Sequence, residues 1–187
     1  GALHAAVADA VAANLPPADV LPFDVLLLGG DDLVMVTAAN RAIETAVAIV
    51  ERFGQLTEQR WGQPLRLSAS VTLTHTSYPV GSLIHLAESG LRFAKRESAL
   101  RRLQPGGAAA ASGLVNFLVV NSPNHSEFDR YYQETLRAKE GQEVILRTLR
   151  PYTPQEMREL IDKARAAKQT PRAKLEQLRA AVFKSRR

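Results

Sequence analysis

The chain has 187 residues, 45% of them hydrophobic, with a formal net charge of +5, which suits one domain of ordinary size with a real core. The absence of cysteine excludes disulfides, zinc–thiolate centres and thiol catalysis, and it fits a reducing cytoplasm without demanding one. No apolar run approaches the ~20 residues of a membrane span and no signal-peptide pattern opens the chain, so the expectation is a soluble, cytoplasmic protein with no membrane partner.

Residues 3–14 are rich in alanine and place Leu3, Val7 and Val11 four apart, a helical stripe that Pro16-Pro17 ends. Since the sequence opens on Gly1-Ala2 already within that helix, a fragment of a longer protein is expected. The stretch from Phe23 to Val36 follows: an apolar run, Gly29-Gly30-Asp31-Asp32, then a second apolar run. It reads as a β-hairpin with acid at its tip. Both flanks are continuously apolar, which predicts two interior strands of a covered sheet, and Gly29 and Gly30 permit the positive φ that a tight turn needs. Adjacent carboxylates at the tip repel each other unless a cation lies between them, so Asp31 and Asp32 are candidate ligands for a divalent metal. A plain polar hairpin is the alternative.

Ala38 to about Arg60 predicts a long helix with Ile43, Val47, Val50 and Phe53 or Gly54 near one face. Trp61, at its end, is read as packing. Leu65 to His75 alternates, with Leu65, Leu67, Ala69, Val71 and Leu73 on a packed side and Arg66, Ser68, Ser70, Thr72 and Thr74 on a polar side. Gly81 to about Leu103 predicts a second long helix, with Leu83, Leu86, Ala87, Leu91 and Ala94 inward and Glu88, Arg92, Lys95 and Arg96 on the polar side. Residues 104–113 are low in complexity, and Gly106-Gly107 is no phosphate loop because no Gly-Lys-Ser/Thr follows. Leu114 to Val120 is a nearly all-apolar strand.

Asn124 to about Lys139 reads as a helix containing Phe128, Tyr131, Tyr132 and Leu136, with a short strand at Val144 to Leu149. Tyr131 and Tyr132 can stack on RNA bases, though packing is the simpler role. Thr153, Pro154 and Glu156 have the spacing of a capped helix start running to about Lys168. Pro171 opens another helix, with Leu175, Leu178 and Val182 inward. Residues 137–187 hold 14 basic and 6 acidic residues, a local excess of +8, with Arg172, Lys174 and Arg179 on the last helix. That asymmetry points to an acidic partner, nucleic acid or protein, against the alternative of a solvated face. His75 and His125 have no metal-ligand spacing, and neither a Gly-x-Ser-x-Gly elbow nor a Rossmann fingerprint is present.

Several of these pieces resemble a known family. The Gly29-Gly30-Asp31-Asp32 hairpin, the strand from Ser68 to Leu73 with His75 and Pro79 after it, the helix from Ala87 to Lys95 and the strand from Leu114 to Val120 resemble the palm domain of the type III CRISPR effector large subunit. Arg150-Pro151-Tyr152-Thr153 resembles the start of that subunit's C-terminal helical domain. The similarity runs over most of residues 23–160; its motifs are short, and their order and spacing carry it. More distantly, the helix and the Gly-Gly hairpin are similar to GGDEF diguanylate cyclases, although Asp32-Leu33 stands where those have Glu-Phe.

The resemblance implies an α/β (α+β) fold: a ferredoxin-like palm whose sheet contains antiparallel strands and is covered by helices. A partial palm is expected at 1–121, a connecting segment at 122–150 and a helical segment at 151–187. The implied activity is conversion of ATP to cyclic oligoadenylate by a two-metal mechanism, with Mg2+ or Mn2+ as cofactor. Asp31 and Asp32 are then the catalytic metal ligands, Gly29 and Gly30 admit the nucleotide, and Lys95 faces the triphosphate, although by itself Lys95 also reads as a surface lysine. The implied partners are ATP, effector subunits and guide or target RNA. The family carries another metal-binding aspartate on a strand ahead of the first helix, which this sequence does not contain. Asp24, about five strand residues or roughly 16 Å before the tip, cannot replace it. An incomplete metal site with weak or absent cyclase activity is therefore expected. The alternative is a non-catalytic palm scaffold whose basic helices bind neighbouring subunits or RNA.

Overall fold

The computed structural model describes residues 1–14, 23–103, 113–120, 128, 137–140, 143–146 and 150–183. Strands β1 (Phe23–Gly29) and β2 (Asp32–Thr37) form the expected antiparallel hairpin, with Val25 opposite Met35, Leu28 opposite Leu33 and a bulge between Val25 and Leu27. Its inner side is set by that register. Leu28, Leu33 and Met35 pack with Leu3, Val7 and Ala10 of helix α1 (Ala2–Asn14) and with Ile49 of helix α2 (Ala39–Trp61). Arg52 Nε donates to Asp9 Oδ2 across 2.6 Å, tying α2 to α1.

Strand β3 (Ala69–Leu73) runs parallel to β4 (Val115–Val119), with Ala69 opposite Val115 and Leu73 opposite Val119. α2 covers one face of this pair through Val47 and Val50, which meet Val115, Phe117 and Ala69. Helix α3 (Val80–Arg102) covers the other through Leu86 and Phe93, which meet Leu118, Val120 and Phe128. The side of β3 that the alternation marks as polar is the face that α3 covers. The hairpin and the β3–β4 pair are also two separate two-stranded sheets rather than one covered sheet. Leu67 belongs to the cluster under each, so a common apolar layer on α2 joins them without strand pairing.

The ends of α2 follow from local chemistry. Gly62 caps it in the left-handed region at φ 73°, where a side chain would be strained, and its N–H donates to Glu58 O across 2.8 Å. Thr57 Oγ1 donates back to the helix and accepts from Leu65 N across 2.8 Å, which fixes the return loop. Trp61 lies beyond the packed region, 52% exposed, with the Arg60 guanidinium 5.4 Å from its ring centre; the packing role expected for it is not found.

Residues 137–139, expected at the end of a helix, are extended instead: β5 (Arg137–Glu140) pairs antiparallel with β6 (Glu143–Leu146). Their short Arg-Ala-Lys-Glu run has no apolar period of its own, so cross-strand pairing decides its conformation. Pro16-Pro17, Gly106-Gly107, His125, Tyr131 and Tyr132 lie outside the described residues.

Helix α4 (Pro154–Ala167) starts as its sequence predicts, with Thr153 Oγ1 accepting from Glu156 N and Glu156 accepting from Thr153 N across 2.7 Å. Met157 is fully buried against Val47, Val50 and Val115. Arg158 makes a two-pronged pair with Glu51, and Arg165 Nη2 donates to Glu44 Oε1 across 2.8 Å, so α4 is fastened along α2. The segment before α4 is fixed too: Tyr152 exchanges both backbone hydrogen bonds with Val115, at 2.7 and 2.9 Å, and Arg101 donates to Pro151 O across 2.7 Å. Helix α5 (Arg172–Phe183) differs. Residues 172–178 are all exposed, Leu178 by 62%, so the inward face expected for Leu175 and Leu178 is not formed.

Candidate functional site

The hairpin turns through Gly30 and Asp31, with Gly29 and Asp32 closing the ladder on either side. Gly30 has φ 61°, whereas no residue other than glycine has positive φ among the described residues. Positive φ at the first loop position and not at the second is the signature of a type II′ turn, which suits the right-handed twist of two flanking strands. Gly29 has no such conformation. Its place at the strand end, with nothing within 4 Å of where a Cβ would stand, leaves open space beside the tip rather than a backbone demand.

Asp31 and Asp32 are both exposed, and among the described residues neither carboxylate has a hydrogen bond or ion pair. That sets them apart from Asp9, Glu44 and Glu51, each of which meets an arginine. Two unpaired carboxylates in succession form a hard-oxygen donor set that fits Mg2+ or Mn2+, ions commonly held by one or two carboxylates with the remaining positions left to phosphate and water. Among the described residues no third acidic or histidine side chain joins them in a metal-binding group. Asp24 is exposed and pairs with Val36, near the opposite end of the hairpin from the tip.

Lys95 is on the exposed side of α3, and α3 packs on β3 and β4 rather than on the hairpin. The four hairpin residues are therefore gathered at one tip, while Lys95 belongs to a neighbouring layer. On the buried side of α3 is a polar contact that the sequence did not single out. Asn116 is fully buried in β4, and its Nδ2 donates to Gly90 O of α3 across 3.2 Å. A Cβ on Gly90 would lie 2.4 Å from Ser70 Oγ and 3.0 Å from Asn116 Nδ2, so the Ser89-Gly90 step of the helix is where α3 presses on the sheet. Ser89 Oγ in turn accepts from Phe128 N across 3.0 Å. The available signal was Asn116 itself, a polar residue in the same alternating set as Leu118 and Val120.

Arg150 stacks over the Phe117 ring at 3.9 Å, and Phe117 stacks with Tyr152 at 6.2 Å, so the start of the helical segment is anchored on β4. Hydrogen bonding to Glu51 holds the Arg158 guanidinium above the ordinary arginine value. No described helix is long and apolar enough to cross a membrane.

Against known proteins, residues 23–102 match the family described as Cas10/Cmr2, second palm domain. This span begins at β1 and ends with α3, so it contains the hairpin tip, the Ser70–Gly90 contact and Lys95. No curated protein and no solved structure matches the chain.

Proposed function

With residues 23–102 a Cas10/Cmr2 second palm domain, the palm of the type III CRISPR large subunit, we propose that the hairpin tip is one half of a two-metal nucleotidyl-transfer centre acting on ATP. The observation that carries this reading is the pair of exposed, unpaired carboxylates Asp31 and Asp32 at a turn whose glycines keep bulk away. Joining nucleotides into a cyclic oligoadenylate needs a 3′-hydroxyl deprotonated and a pyrophosphate leaving group neutralised, and divalent ions supply both when bound. Asp31 and Asp32 hold the ion. Gly29 and Gly30 let phosphate approach the backbone, and Lys95 offers a positive charge to the triphosphate.

Because no third acidic ligand stands at the tip among the described residues, the chain binds metal–ATP more readily than it turns it over. Calorimetry with ATP in the presence and absence of Mn2+ tests this. Binding is expected to require Mn2+ and to weaken at least about tenfold in the double substitution Asp31→Ala, Asp32→Ala, since each charge-assisted contact contributes about 1.5–3 kcal/mol. Unchanged binding in that variant overturns the site. Clear cyclic oligoadenylate after incubation with ATP and Mn2+ overturns the claim of an incomplete centre.

A second reading is favoured by the charge of the C-terminal helices. The palm then serves as a scaffold, and the basic residues from Arg150 onward meet neighbouring subunits or RNA of the effector. Loss of assembly or RNA binding on charge reversal at Arg172, Lys174 and Arg179, with ATP binding absent in the unaltered chain, distinguishes it from the first.

A further inference from the structure

Among the described residues, the outer side of the hairpin and helix α5 each expose apolar side chains, and their chemistries are complementary. The outer side of the hairpin is apolar with acid along it. Leu26 is 46%, Leu27 50% and Val36 51% exposed, although the inner side of the same strands is packed. The register puts Asp24 beside Val36 and Leu27 beside Val34 on this outer side, while Asp31 and Asp32 stand at its end. Helix α5 is the counterpart. At 100° per residue, Arg172, Lys174, Leu175 and Leu178 fall on one side, and Ala173, Glu176, Gln177, Ala180 and Ala181 on the other. All of these residues are exposed.

Lengths agree as well. Twelve helical residues span about 18 Å, and a seven-residue strand spans about 23 Å. A 12-residue helix is marginal in water without a packed face, so α5 gains most from a surface that covers Leu175 and Leu178.

We propose that α5 of one copy of this chain docks on the outer face of the hairpin of a second copy. Leu175 and Leu178 cover Leu26, Leu27 and Val36, and Arg172 and Lys174 lie along the acidic rim. Twofold symmetry makes the exchange reciprocal, so two small faces are buried twice, which brings the contact towards the ~1,200 Å² at which specific interfaces begin. The interface is tested apart from the metal reading through Asp24, Leu26, Leu27 and Val36, none of which is a metal ligand in that reading.

Sedimentation of the full 187-residue chain over a range of concentrations tests it. A reversible dimer is expected, weakened by salt because its rim is ionic. Leu178→Glu and Leu27→Glu should each weaken the dimer at least about tenfold, the scale of losing one buried apolar side chain. Circular dichroism checks that each variant keeps its fold, and Leu178, itself 62% exposed, is the variant least open to that objection. Asp24→Lys and Lys174→Asp should each weaken the dimer, and the two together in one chain should restore it. A monomer at every concentration overturns the proposal. So does a dimer that responds to Leu178→Glu but not to Leu27→Glu, or a monomer whose α5 substitutions abolish binding to a single-stranded RNA probe.

Discussion

Asn116 reaches from β4 into α3 and donates its side-chain amide to Gly90 O across 3.2 Å, in a site where neither residue is exposed to water. Gly90 has no side chain there because Ser70 and Asn116 already occupy the space. One helix position thus joins both parallel strands. Gly90→Ala is expected to cost about 1–3 kcal/mol, the usual range for overpacking, by pushing α3 off the sheet. Adding Ser70→Gly should recover part of the loss by removing the nearest atom. Urea unfolding of the single and double variants measures both, and equal stability of Gly90→Ala and the unaltered chain would remove the close approach as a structural requirement.

The two tip glycines should separate cleanly. Gly30→Ala places an L side chain at φ 61° and is expected to cost about 1–2 kcal/mol. Gly29→Ala meets nothing within 4 Å and no positive φ, so stability should change by less than about 0.5 kcal/mol. Metal–ATP binding offers the complementary readout: if phosphate comes close to the backbone beside Gly29, the same Gly29→Ala that leaves stability alone weakens nucleotide binding.

Arg158 and Glu51 fasten α4 to α2 from an exposed position, so Arg158→Gln is expected to cost only about 0.5–1 kcal/mol. The sign of its pH dependence follows from the direction of the arginine shift. Glu51 raises the guanidinium value, so the arginine's share of the stability is present below the unfolded arginine value and is lost only as pH climbs through the still higher folded one. The difference between variant and unaltered chain should therefore stay flat from about pH 6 to about pH 10 in urea titrations. A loss that sets in near neutral pH would assign the fastening to some other group.

The hairpin, both long helices and the capped start of α4 could be read from the chain because each is specified locally: a positive-φ glycine at a turn, an apolar period, a Thr-to-Glu spacing. What could not be read is what covers each face. Alternation in β3 gave the parity of Ser70 and Thr72, but only the course of α3 decides that their side is covered. The flanks of the hairpin were apolar enough for an interior strand, yet Leu26, Leu27 and Val36 face outward because apolar composition records what a strand can bury, not what arrives to bury it. Leu175 and Leu178 carry the same lesson on a helix. In the site, Asp31 and Asp32 were legible as an adjacent pair, whereas the fact that Lys95 is carried by the helix over β3 and β4 depends on packing between segments far apart in sequence.

The Tyr152–Val115 pairing, introduced above as an anchor for the helical segment, also sets the direction in which the β3–β4 ladder can be extended. A free strand edge is a template for any passing extended chain, and proteins blunt such edges to avoid runaway aggregation. At Val115 the outer edge of β4 is taken by a short piece of the chain's own backbone, capped at once by a helix that cannot continue the ladder. Among the described residues β3 has no partner on its far side. A further strand added to this ladder would therefore have to pair with β3, since Tyr152 holds the β4 edge at Val115.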